Sequence, residues 1–117
     1  MIMEERLNIN VSATNYDESS KEITAILTML EEMTHGENEF RMTDSEFAFG
    51  WHFYVVSVSL NLIQKLSEQM GDDFYKLKGK GLEKKFLTWL TQKTKQKNLH
   101  VKFAIKEEME SSKFGIF

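Results

Sequence analysis

The chain has 117 residues, 41% of them apolar, a formal charge of −3, and neither cysteine nor proline. The missing cysteine excludes disulfides, thiolate metal sites and cysteine nucleophiles. Nine Phe, two Trp and three Tyr supply core material that a disordered chain would lack. The small net charge conceals a sorted one: residues 1–50 carry eleven acids and three bases, residues 51–117 twelve bases and seven acids. Such sorting bears on partners and self-association rather than on a reaction.

The first residues are acidic and no basic start leads into an apolar run, so no secretory leader is expected and a cytoplasmic location fits. Lysine outnumbers arginine thirteen to two, which with the absence of proline suggests an AT-rich microbial source. Leu7, Ile9, Val11 and Ala13 alternate with polar residues and predict a strand with one buried face. Ile23, Ile26, Leu27 and Leu30 recur at helical spacing and predict a helix from about Ser20 to Met33. Ser19 and Glu22 have the spacing of a capping box, and Gly36 is placed to close the helix in a left-handed conformation. Phe40 and Met42 alternate with Glu39 and Arg41, compatible with a short strand.

Residues 47–63 form the most apolar stretch, and three readings compete for it. A membrane span needs about 20 residues without His52 or Asn61 inside it. A strand is suggested by alternation of Phe47, Phe49, Trp51, Phe53 and Val55. A single helix from Ser45 to about Met70 is favoured, because Glu46, Gly50, Ser57, Asn61, Gln64 and Glu68 fall on one stripe at 3.6 residues per turn. That helix would be roughly 39 Å long and buried on several sides. Phe74 to Gly81 reads as a basic connector, Leu82 to about Lys95 as a helix, and Leu99 to Lys106 as a second alternating strand. Residues 107–117 read as a turn and an apolar tail.

The expected architecture is one α+β domain over residues 1–117. A small, mostly antiparallel sheet of two to four strands packs against a long central helix and two shorter ones. The candidate basic surface is Phe74, Tyr75, Lys76, Lys78, Lys80, Lys84, Lys85, Lys93, Lys95 and Lys97, the aromatics able to stack on bases. No nucleic-acid motif accompanies it, and lysine lacks the bidentate fork of arginine. A solvated helix face is the plainer explanation. Trp51, Phe53, Tyr54 and Val58 are the candidate self-interface on the long helix.

His35, His52 and His100 are far apart in sequence, without the i, i+4 spacing of a helical metal pair, so no metal or cofactor is expected. His52 reads best as a satisfied core or interface histidine. The acid pairs at 31–32 and 72–73 sit at helix ends, where carboxylates are usually solvated, and no catalytic residue is assigned. Gly79 and Gly81 lack the spacing of a phosphate loop. The expected function is a small non-enzymatic protein-binding module of adaptor, regulatory or inhibitor/immunity type. It would form a homodimer and bind another protein but no membrane. The alternative is nucleic-acid binding through residues 74–106.

Overall fold

A computed structural model describes residues 5–106. The alternation read from the first segment builds β1 (Arg6–Ala13), with Leu7, Ile9, Val11 and Ala13 buried and the intervening residues partly exposed. Next comes α1 (Tyr16–Thr34), the longest helix at 19 residues. Its N-cap is Asn15, whose side chain accepts from the Glu18 amide, so the helix starts earlier than Ser20 and the Ser19–Glu22 capping box does not form. The left-handed closing residue is His35, at φ 58°, rather than Gly36. Gly36 instead donates its amide to the Glu31 carbonyl at 2.9 Å.

The chain then forms β2 (Phe40–Met42), β3 (Glu46–Ala48) and β4 (Trp51–Ser59) before entering α2 (Leu60–Met70). The long central helix expected over 45–70 is therefore replaced by strands up to Ser59. Aromatic and β-branched residues from Trp51 to Val58 favour extended backbone. The turn before them also breaks any helix: Phe49 and Gly50 have φ 56° and 83°, the two positive values of a type I′ hairpin turn. The polar stripe that suggested a helix is a coincidence of spacing. Helix begins only where Ser59 caps it, accepting from the Leu62 amide at 3.1 Å.

Beyond α2 come the short α3 (Asp72–Tyr75), a loop over 76–80, α4 (Gly81–Gln96) and β5 (Val101–Ile105). The expected turn and tail at 107–117 lie outside the described residues.

The class is α+β, with a five-stranded sheet, one strand more than the expected upper bound. Its order is β2-β4-β1-β5, every pairing is antiparallel, and β3 joins the same side of β4 as β2. Three residues, Thr43 to Ser45, stand opposite two, Tyr54 and Val55, so β2 and β3 make one edge interrupted by a bulge. Thr43 keeps the ladder connected there. Its amide donates to the Val55 carbonyl, and its hydroxyl accepts from the Val55 amide, both at 2.9 Å.

Among the described residues, helices α1 to α4 lie on one side of the sheet. Leu7, Ile9 and Val11 of β1 and Tyr54, Val56 and Val58 of β4 meet Ile23, Leu27 and Leu30 of α1, Leu62, Ile63 and Leu66 of α2, Phe74, and Phe86 and Leu90 of α4 in one core. Burying each large side chain there is worth about 1.5–3 kcal/mol relative to leaving it exposed. Among the described residues, no helix is long and apolar enough to cross a membrane.

Candidate functional site

Strand geometry sends alternate side chains to opposite faces, so a sheet sealed by helices on one side presents a second row on the other. On β4 that row is Trp51, Phe53, Val55 and Ser57; on β1 it is Asn8, Asn10 and Ser12. Among the described residues, no helix covers it. Register aligns these residues into ranks across the strands. Glu46, Phe53, Ser12 and Lys102 form one rank, and Arg41, Ser57 and Asn8 another.

Two adjoining hollows occupy this face. The first, of about 470 Å³, is bordered by Asn10, Ser12, Asp44, Glu46, Phe53 and Val55. The second, of about 380 Å³, is bordered by Asn8, Arg41, Val55, Ser57 and Lys106. Val55 is common to both, and the bulge at Thr43 swings Asp44 to the rim of the first. The face therefore has an apolar centre, a cationic end at Arg41 and Lys106, and an opposite end where Asp44 and Glu46 on the β3 side stand across the sheet from Lys102 on β5. Lys102 stands 5.3 Å from the centroid of the Trp51 ring, a cation–π contact that holds the indole at the upper margin.

Next to this face, the β3–β4 hairpin ends in exposed aromatics. Phe49 is 97% exposed and Phe47 66%. Phe49 also carries a positive φ, where Asn or Gly would sit with less strain. His52, on the helix side of the hairpin, lies 4.7 Å from the Phe47 ring and 6.1 Å from the Tyr16 ring. Among the described residues its buried Nδ1 has no hydrogen-bond partner, unlike the satisfied core or interface histidine expected.

The residues expected to form a self-interface divide between the two faces. Tyr54 and Val58 point into the core and are 3% and 0% exposed, whereas Trp51 and Phe53 belong to the uncovered face. The expected basic surface divides as well. Phe74 is completely buried, which removes it from stacking. Lys85 donates to the carbonyls of Tyr75 and Leu77 at 2.9 and 2.6 Å, pinning the 76–80 loop to α4. Lys93 lies 5.7 Å from the Trp89 ring centroid. Tyr75, Lys76, Lys78, Lys80, Lys84, Lys95 and Lys97 are exposed along the loop and α4, apart from the sheet hollows.

Of the acid pairs considered for acid–base chemistry, Glu31 has structural work. Glu31 accepts from the Glu39 amide at 2.7 Å, and the Glu39 carboxylate accepts from the Ser59 hydroxyl. Arg6 donates to the carbonyls of Asn38 and Ser57, which fastens this loop to the foot of β4. Among the described residues, no group of three His, Asp or Glu is placed to hold a metal ion.

Of the charged rim of the uncovered face, Arg41, Asp44 and Glu46 were not among the sequence candidates, and Lys102 and Lys106 entered only as part of the 74–106 segment. Alternation of Arg41 with Phe40 and Met42 was its one visible signal. Comparison of the chain with protein-family models, curated proteins and solved structures returns no match.

Proposed function

We propose that this chain is a non-enzymatic protein-binding module whose contact surface is the uncovered sheet face together with the aromatic tip of the β3–β4 hairpin. The observation that carries the reading is the arrangement of Trp51 and Phe53. They share the face of β4 that no helix covers among the described residues, and Phe53, 40% exposed, borders one of the two hollows there. Aromatic residues are enriched where proteins meet, and exposed apolar patches with polar rims mark contact sites. Strain at Phe49 supports the same use, since an exposed aromatic in a disfavoured conformation gains nothing for the fold itself. Cationic, acidic and apolar groups side by side suit a protein surface better than a uniformly anionic polymer.

Site-specific photocrosslinking in the cells of origin tests this reading. A benzophenone side chain at position 53 or 49 is expected to give protein adducts, while one at the exposed helix position Thr28 gives none. An adduct of twice the chain's mass would identify the partner as a second copy. Protein adducts equally abundant at all three positions, or nucleic-acid adducts from a probe at Lys80, would overturn the reading.

A further inference from the structure

We infer that the uncovered face receives an extended segment of a partner protein carrying an acid, an apolar residue and a base at alternate positions. This inference rests on the protein-binding reading above and names what that face would recognise. Three levels follow one another along β4. At Ser57 the hollow is flanked by Arg41 and Lys106; at Val55 the floor is apolar; from there to Phe53 the β3 side is rimmed by Asp44 and Glu46, with Lys102 at the far end of the Phe53 rank on β5. From Ser57 to Phe53 is four residues, about 13 Å of strand.

An extended peptide has the same rise and shows every second side chain to one side. Its residues i, i+2 and i+4 therefore meet the three levels in turn. Complementarity puts a carboxylate between the Arg41 guanidinium and the Lys106 ammonium, an apolar side chain over Val55, and a cation against Asp44 and Glu46. Hydrogen bonds between ionised partners are the stronger kind, and arginine can grip a carboxylate with two parallel donors. A polynucleotide fits less well, because its phosphates would have to pass the two acids at the upper level.

The test is amide-resolved NMR titration of the isotopically labelled full chain with blocked synthetic peptides. Ac-Glu-Ser-Phe-Ser-Lys-NH2 is expected to shift the amides of Asn10, Val55 and Ser57. Replacing either its Glu or its Lys with Gln should weaken binding about fivefold, the upper range for an exposed ion pair. The protein variant Glu46→Lys should reverse the preference, binding the peptide with Glu at both ends more tightly than the original. A merely misfolded variant cannot produce that reversal. Binding on this face that ignores both charge replacements overturns the inference while leaving the protein-binding reading intact. So do shifts confined to residues 76–81. Shifts of this face by an oligothymidylate, or no shift of it by any peptide, overturn the inference as well, and photocrosslinking then judges the broader reading separately.

Discussion

Ser19 Oγ and Tyr54 Oη lie 2.8 Å apart inside the core, joining the first turn of α1 to the middle of β4. Ser19 also lies 3.2 Å from the Tyr16 carbonyl. Ser19 can turn its single proton to that carbonyl or to Tyr54, so either hydroxyl can donate across the pair. The two deletions are then unequal. Tyr54→Phe leaves Ser19 bonded to the Tyr16 carbonyl, costing about 0.5–1.5 kcal/mol, whereas Ser19→Ala orphans the buried Tyr54 hydroxyl at about 1–3 kcal/mol. Urea unfolding of both variants should rank Ser19→Ala as the less stable.

Alkaline pH should probe the same pair. Burial raises the Tyr54 ionisation above its ordinary 10.0; the Ser19 hydrogen bond opposes this and Tyr16 adds to it. A folded-state value above the unfolded one means that the folded chain holds the proton more tightly. The stabilisation is complete below pH 10 and is lost as pH rises through the folded value. Wild type should therefore lose more stability than Tyr54→Phe in denaturant titrations taken above pH 10.

The hairpin tip is strained by its own residue. Phe49 has φ 56° and is almost entirely in solvent, so its ring contributes little packing against the conformational cost. Phe49→Asn should stabilise the fold by roughly 0.5–1 kcal/mol, because asparagine tolerates the left-handed region. Thermal melting checks this. A lower midpoint would show that the phenyl ring supports the fold.

Gly79 and Gly81 separate strain from crowding. Both have positive φ, 114° and 83°. A Cβ at Gly79 would come within 2.7 Å of the Lys84 Cβ, whereas one at Gly81 meets nothing within 4 Å. Gly81→Ala should cost about 1 kcal/mol from backbone strain alone, and Gly79→Ala measurably more, since the loop must also leave α4. Equal losses in chemical denaturation would show that the loop yields freely.

Ser59 serves two elements at once. Its hydroxyl caps α2 through the Leu62 amide and donates to the Glu39 carboxylate. Ser59→Ala should cost about 1–2 kcal/mol, and amide exchange should rise first at Leu62 and Ile63.

Local patterns were legible wherever one periodicity dominated. Leu7 to Ala13 and Val101 to Ile105 could satisfy only a strand with one buried face, and Ile23 to Leu30 only a helix with one apolar stripe. The α+β class follows from those elements, because a small apolar sheet face must be covered by helices. Residues 47–59 were not resolved by pattern, because their apolar content fits both periods. Register against β1 and the positive φ at Phe49 and Gly50 exclude the helix there, and pairing partners lie far away in sequence.

The same distance hid the candidate site. Trp51 and Phe53 were singled out alongside Tyr54 and Val58, yet strand pleating puts the two pairs on opposite faces. Phe74 sits in a run of lysines but fills the core, since burial depends on where α3 docks rather than on its sequence neighbours. Arg41, Glu46, Phe53, Lys102 and Lys106 share one surface because three separate segments pair with each other. A linear chain records the periodicity and charge of each segment; pairing between distant segments determines which charges become neighbours.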